Sequence, residues 1–411
     1  MTITADDLDR ARALVAGEVL RTPAFPAPAL SALTGCEVVV KYENMQATGA
    51  FKDRGAVVKL ASLDADQRRR GVVAMSAGNH AQAVALHARR MGIPATIVMP
   101  RMTPIVKREN TERHGARVIL EGDVLAECEP VVRRLMETEG LTLVHPYDDE
   151  KVIAGQATAT MEFLEDAPDL DVLVVPVGGG GLIAGAALAI RHMRPGLPLI
   201  GAEAGLYPSF WNALTGEKRP IGGPTLAEGI AVKNVGRLTL DIVREHAPRL
   251  ILVSESALER AANAFATLQR TMAEGAGAAG LAALLTEPAA FKGKKVGLIL
   301  SGGNIDARLL SAIMVRELER DGRVAHIRVT AQDRPGLLGT ITSCIGENGG
   351  NIIEVSHRRM MLDVPAKAIS VDIAMETRSR EHVQHIMHAL ASHGLATRRL
   401  GLAGESDPGW S

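Results

Sequence analysis

The sequence predicts an α/β protein built on parallel sheets, followed by a small ferredoxin-like domain. Three observations carry this expectation. Short β-rich apolar runs alternate with amphipathic Ala- and Leu-rich stretches over about the first 320 residues, the pattern of strands covered by helices. Gly92 and Gly115 each stop a helical stretch just before a strand, as glycines do at helix ends. After about residue 321 the order becomes βαββα with a final short strand, over about 75 residues, which is a ferredoxin-like arrangement.

Taken in order, the strands of the long region are Glu37–Lys41, Gly71–Met75, Ala95–Met99, Arg117–Leu120, Val172–Val175, Leu199–Glu203, Leu250–Val253 and Val296–Leu300. Residues 172–190 carry no charge over a length near that of a membrane span. They also contain Pro176 and four consecutive glycines, so they read as a strand, a glycine loop and a helix start. A helix over 307–320 ends at Asp321-Gly322. Beyond it, Ala325, Ile327 and Val329 alternate as a half-buried strand, and Leu337, Leu338, Ile341 and Ile345 have helical spacing. Residues 351–355 form a strand, Ile369 to Met375 alternate, and Val383, Ile386, Met387 and Leu390 share a helix face before a short strand at 396–400. The tail from Ala403, 403–411, is expected to be disordered.

Composition narrows the function classes. The 411 residues carry 46 Lys and Arg against 47 Asp and Glu, a net charge of −1, so no broad electrostatic footprint for nucleic acid or anionic lipid is expected. Aromatics make up 3%, too few for a single-strand stacking platform. Cys36, Cys128 and Cys344 lie far apart with no metal-ligand spacing, which disfavours disulfides and structural zinc and fits a reducing cytoplasm. From the acidic start MTITADDLDR no signal peptide is expected. No nucleic-acid or membrane partner is therefore expected.

Four segments are able to carry chemistry. Gly49 and Gly55 bracket Phe51-Lys52-Asp53-Arg54; a lysine there is either a solvated side chain or, with its pKa lowered, a Schiff-base nucleophile. Ser76-Ala77-Gly78-Asn79-His80 follows a strand and opens a helix, which suits an anion or a polar ring substituent, or merely caps the helix. Gly178, Gly179, Gly180 and Gly181 follow a buried strand; backbone amides free of Cβ atoms converge there on one anion, in contrast to a plain flexible loop. It is not a GxGxxG dinucleotide motif. Ser301-Gly-Gly-Asn304 also follows an apolar strand, either as a ligand-facing hydroxyl or as a helix cap. Glu274-Gly-Ala-Gly277 is a weaker fifth: its glutamate works in a pocket or is merely polar at a helix start.

In this order and spacing the segments resemble the pyridoxal-phosphate enzymes of the tryptophan-synthase-β fold, and among them the threonine dehydratases. Lys41-Tyr-Glu-Asn-Met-Gln46, the stretch His145-Pro146-Tyr147-Asp148 to Gly155-Gln156, and Leu226 to Lys233 resemble the family as well. The resemblance spans about residues 5–320. Asp333-Arg-Pro335-Gly336-Leu337-Leu338 and Gly349-Gly-Asn351-Ile352 resemble an ACT regulatory domain. The implied organisation is a two-lobed catalytic domain over 1–321, with a smaller lobe of about 50–145 inserted, an ACT domain over 324–400 and the tail.

By that resemblance Lys52 is the Schiff-base lysine and Phe51 packs beside the cofactor ring. Asn79 is the donor to the ring hydroxyl, Gly178 to Gly181 hold the phosphate, and Ser301 is the hydroxyl partner of the pyridine nitrogen. The substrate carboxylate belongs at Ser76, Ala77, Gly78, Asn79 and His80, with Ser76 a second catalytic candidate. Lys52, once freed, takes the Cα proton, and L-threonine yields 2-oxobutanoate and ammonia, with some activity on L-serine. A neutral Ser301 is expected to favour loss of the β-hydroxyl over transamination. Amino-acid effectors such as isoleucine or valine are expected near Asp333, Pro335, Gly336, Leu337, Asn351 and Ile352, in a homo-oligomer, dimer or tetramer.

Departures bear on the alternatives. Ala50 stands where the family often has Ser, Ala77 lacks the second hydroxyl of serine racemases, and Glu228 replaces the commoner Asp. Asp53-Arg54 resembles threonine synthase, whereas His80 and the ACT-like segment fit a dehydratase better. Serine or 3-hydroxyaspartate dehydration, threonine synthesis and a non-catalytic amino-acid sensor are the other readings. His382, His385 and His388 share a helix face without a supporting carboxylate, and Glu203 has no second acid beside it, so no metal is expected.

Overall fold

The computed structural model describes residues 3–246, 248–358 and 368–400. The chain forms two compact units, Met1–Ile305 and Asp306–Ser411. The first contains two sheets. A six-stranded sheet has the order Ala24–Pro26, Glu37–Tyr42, Lys295–Leu300, Val172–Val177, Leu199–Ala204, Arg249–Val253. Only the edge strand Ala24–Pro26 is antiparallel. The inner strands Val172–Val177 and Leu199–Ala204 are buried at every residue, so they show as continuous apolar runs and not as alternation.

The chain between Tyr42 and Val172 builds a second, wholly parallel sheet with the order Arg117–Leu120, Ala95–Met99, Val72–Met75, Thr142–Leu143. The strands foreseen from sequence are present. Ala24–Pro26 and Thr142–Leu143 are additional, and with three and two residues they carry no readable periodicity. The uncharged stretch splits into strand Val172–Val177 and helix Gly181–Met193. Among the described residues no helix is long and apolar enough to cross a membrane. Parallel strands align their carboxyl ends, and ligands bind there in open α/β sheets. Met75, Val177 and Leu300 end strands, and each leads directly into one of the segments singled out above.

A buried, charge-balanced cluster underlies this arrangement. The Arg54 guanidinium is fully buried and bidentate to both Glu43 and Glu162, at 2.7–2.8 Å. Lys41 donates to Glu162 and to the Thr22 carbonyl, both at 2.7 Å. Burial alone raises Glu43, and the adjacent Arg54 outweighs it, holding the carboxyl below its usual range. Two cations satisfy two carboxylates, as buried charges require.

The second unit is a four-stranded antiparallel sheet, Asn351–Arg358, Ala368–Glu376, Val324–Gln332, Ala396–Leu400, with helices Leu337–Glu347 and Arg380–Ser392. Ile327, Val329, Ile341, Ile345, Ile373 and Ile386 form its core. Helix Ala307–Arg320 groups with this unit, whereas the sequence reading placed it in the first domain. The Arg399 guanidinium donates to the Glu319 carbonyl and the Arg380 guanidinium to the Arg320 carbonyl, tying the helix to the small sheet and its helix. The tail expected to be disordered lies outside the described residues.

Candidate active site

Lys52 opens helix Lys52–Ala61. The turn before it depends on Gly49, at φ +75, where a Cβ would come 2.5 Å from Asn304 Oδ1. The Phe51 amide donates to the Ser301 carbonyl at 3.0 Å, which sets the lysine segment against the end of strand Lys295–Leu300. Ser301 is 3% exposed. No helix starts at Ser301 or Asn304, so neither is a cap; the next helix is capped by Asp306. Lys52 Nζ lies 5.0 Å from the Phe51 ring centroid and donates to the Pro146 carbonyl at 2.6 Å. Burial strips water from the ammonium and pulls its pKa down to about 8, against an opposing pull from Glu274.

The loop that supplies Pro146 is held by its neighbours. His145 Nδ1 accepts from the Tyr147 and Asp148 amides at 3.3 and 2.8 Å. The Asp148 carboxylate accepts from the amides of Arg237, Leu238 and Thr239, at the start of helix Arg237–His246. Tyr147 donates its hydroxyl to the Asn234 carbonyl at 2.9 Å. The Tyr147 ring faces the tetraglycine: a Cβ on Gly179 would meet it at 2.2 Å.

The tetraglycine turns into helix Gly181–Met193, with Gly180 at φ +95 as its cap and no side chain on its N-terminal amides. Cβ atoms on Gly178 and Gly180 would come 2.8 Å from Ile230 and 2.4 Å from Phe210. Thr239 Oγ1 donates to the Gly179 carbonyl at 2.9 Å and holds the loop backbone. The result is a helix N-terminus whose amides no side chain caps and whose loop has no room for one, a setting that suits an anion. Ser76 Oγ accepts from the Gly78 amide at 3.2 Å. Helix Asn79–Arg90 begins after Gly78 without a side-chain cap, so neither Ser76 nor Asn79 caps it. Ala77 and Gly78 are half-buried beside Asn79. His80 is buried and pushed down to about 3, hence neutral; its Nε2 donates to the Val144 carbonyl at 2.8 Å. Its Nδ1 has no partner among the described residues.

Asn79 is gripped on both sides. Its Nδ2 donates to Glu274 Oε1 at 2.7 Å, and its Oδ1 accepts from Asn304 Nδ2 at 2.8 Å. Glu274 is the more informative of the two, because the sequence left its role open. Burial raises its carboxyl to about 7. Glu203 is spent elsewhere, accepting from the Phe210 and Trp211 amides. Sequence reasoning missed Pro146 as a partner of Lys52, since a backbone carbonyl has no residue signature. It also missed Thr239 as a support of the glycine loop.

A desolvated amine, an amide cradle for a phosphate, a buried hydroxyl at a strand end and a fixed amide donor fit pyridoxal phosphate. In the second unit, the suggested effector residues do not come together. Gly336, at φ +82, caps helix Leu337–Glu347, and Asp333 and Pro335 follow strand Val324–Gln332. Asn351 pairs with Glu376, which is level with Val324 at the other end of that strand. The two groups are therefore eight residues apart along the sheet, about 27 Å.

Residues 15–302 match the pyridoxal-phosphate dependent enzyme family, and residues 321–393 match an ACT domain. The chain is 42% identical to an L-threonine ammonia-lyase of Thermotoga maritima, over 97% of this chain and all of that one. It is 38% identical to an L-threonine ammonia-lyase of Geobacter sulfurreducens, over 95% of this chain and 96% of that one. Among solved structures, maize serine racemase superposes with a TM-score of 0.71 at 35% identity, covering 78% of this chain and 99% of that one. The chain thus belongs to the pyridoxal-phosphate dependent enzyme family and carries a C-terminal ACT domain.

Proposed function

We propose that the protein is an L-threonine ammonia-lyase whose ACT domain binds an amino-acid effector. The observation that carries the chemistry is the desolvated Lys52 amine, 2.6 Å from the Pro146 carbonyl. That carbonyl belongs to the loop whose Tyr147 borders the glycine cradle. In this reading Lys52 holds the cofactor by its aldehyde carbon, Gly178 to Gly181 hold its phosphate, and Phe51 flanks its ring. Asn79 and Ser301 address the ring hydroxyl and nitrogen. Bound pyridoxal phosphate supplies an electron sink for a carbon that loses its proton.

The chain's own groups then divide the work. The uncapped amides at the start of helix Asn79–Arg90, with Ser76 Oγ beside them, hold the substrate carboxylate. Lys52 Nζ, with its pKa near 8, moves the Cα proton while neutral and carries it while charged. Burial lowers His80 and His145, so neither imidazole places a positive charge beside the Lys52 amine. L-threonine gives 2-oxobutanoate and ammonia, and the water lost in elimination is regained in hydrolysis.

The ACT domain places Asp333–Leu337 and Asn351–Ile352 at opposite ends of one sheet, so a single amino acid meets both only if two copies supply them. A homo-oligomer with isoleucine or valine bound between paired ACT domains satisfies this geometry. The test of the activity is 2-oxo acid release by cofactor-loaded protein, with L-threonine and L-serine in parallel. Faster release from L-threonine is expected. No release from either, with the cofactor bound, overturns the reading.

A further inference from the structure

Glu274 sits at the N-terminal boundary of helix Gly275–Thr286 yet makes no capping hydrogen bond. Its carboxylate turns away from its own helix and reaches across 195 residues of sequence to Asn79. The approach is built in. The Glu274 amide donates to the Gly302 carbonyl at 3.1 Å. A Cβ on Gly302 would come 2.4 Å from Glu274 Oε1 and 3.2 Å from Asn79 Nδ2, so a glycine there keeps the contact open.

The other side of Asn79 is also occupied. Asn304 Nδ2 uses one N–H on Asn79 Oδ1, at 2.8 Å, and the other on the Thr48 carbonyl, at 2.7 Å. An amide nitrogen only donates, and Glu274 Oε1 accepts whether or not the other carboxyl oxygen carries a proton. The two neighbours therefore agree on one orientation of the Asn79 amide, oxygen toward Asn304 and nitrogen toward Glu274. Rotating that amide by half a turn would oppose donor to donor on one side and acceptor to acceptor on the other. In the fixed orientation one Nδ2–H serves Glu274 and the second is left over.

We propose that Glu274, with Asn304 opposite, is a positioning residue that locks the Asn79 amide so that its remaining N–H serves the ring hydroxyl of the cofactor. The inference rests on the reading of Asn79 as the donor to that hydroxyl. It assigns Glu274 to the electronic tuning of the cofactor and not to the start of a helix. Threonine turnover is not needed to see the effect, because ring-hydroxyl hydrogen bonding alters the cofactor's own absorbance.

The test compares the absorbance spectrum and pyridoxal phosphate affinity of the holoenzyme for Glu274→Ala, Glu274→Gln, Asn79→Ala and the double variant Asn79→Ala/Glu274→Ala. Glu274→Ala is expected to shift the cofactor's visible band toward that of Asn79→Ala and to lower kcat about tenfold with little change in KM. Glu274→Gln, whose amide oxygen still accepts from Asn79, is expected to restore the parental spectrum. The double variant is expected to match Asn79→Ala alone. A parental spectrum in Glu274→Ala, or a further shift in the double variant, overturns the proposal. A parental spectrum in Asn79→Ala overturns the role of Asn79 and the proposal with it. Should Glu274→Ala fail to fold, Asn304→Ala puts the same question from the other side, with the same outcomes. Loss of threonine turnover with these spectral relations intact would overturn the proposed substrate alone.

Discussion

Lys52 Nζ donates a 2.6 Å hydrogen bond to the carbonyl of Pro146. A carbonyl accepts from an ammonium as well as from a neutral amine, so this partner orders the side chain in either charge state. Desolvation then decides the charge, and the amine falls to about 8. Cofactor-free protein should accordingly take up pyridoxal phosphate faster as pH rises. Below pH 8 Lys52 is mostly protonated and cannot attack an aldehyde; above it the amine is free. The rate of appearance of bound-cofactor absorbance, measured between pH 6 and 10, is expected to rise with a midpoint near 8. A midpoint in the ordinary lysine range, about 10.4, would mean that the site does not desolvate the amine.

The glycine cradle makes a second prediction. Gly179→Ala drives a methyl group into the Tyr147 ring, whose carbons would lie 2.2–2.4 Å from it. The ring is held at its hydroxyl by Asn234 and packs edge-on against His145 at 4.7 Å, so it yields only with the loop that carries Pro146. Pyridoxal phosphate affinity is expected to fall by about tenfold to a hundredfold. Pyridoxal without the phosphate should lose much less, since it makes no use of the amides. Equal losses for the two ligands would show that the cradle does not read the phosphate.

These two contacts mark the boundary of what the sequence discloses. Buried parallel strands show as apolar runs closed by glycine, so Val172–Val177, Lys295–Leu300 and the loops that follow them were legible. Glycine loops and a lysine between glycines were legible for the same reason, because each residue type answers a local demand. Pro146 acts through its backbone and leaves no trace in residue identity. Glu274 and Asn79 are linked only by the fold, across 195 residues. Lys41 closed a foreseen strand and Glu43 lay in a segment quoted for its resemblance, with nothing local to show that their charges are paired at depth. In the ACT domain the suggested effector residues were legible as a turn into a helix and the start of a strand, but their separation along the sheet follows from strand pairing that no single segment encodes.

The buried cluster predicts a pH-dependent stability defect. Arg54→Met leaves Glu43 and Glu162 facing each other with Lys41 as their remaining cation. Breaking a buried pair in this way costs roughly 3–5 kcal/mol, to be read from denaturant unfolding at pH 7. In the parent, Glu43 is held below its usual range, so its contribution is present above the unfolded carboxyl value and is lost as pH falls through the folded one. In the variant burial raises Glu43 with Arg54 no longer opposing it, and protonation relieves it. The gap between parent and variant should therefore narrow as pH falls from 7 to 4. A constant gap would mean that packing, not charge, is what Arg54 contributes.

The ACT sheet leads to a prediction about assembly. Asn351 pairs with Glu376 through backbone register and a 2.8 Å side-chain hydrogen bond, which anchors it at one end of an edge strand. Asp333 and Gly336 lie at the opposite end of the sheet. If isoleucine or valine binds between two paired copies, each site takes one group of residues from each copy. Asp333→Ala and Asn351→Ala should then each abolish the response of turnover to these amino acids. Oligomers formed by unfolding and refolding the two variants together should regain part of it, because in a mixed pair one site keeps both native halves. The response is measured as the change in 2-oxobutanoate release on adding L-isoleucine or L-valine. Mixed oligomers as unresponsive as either variant alone would place the effector within a single copy, where it touches only one end of the sheet.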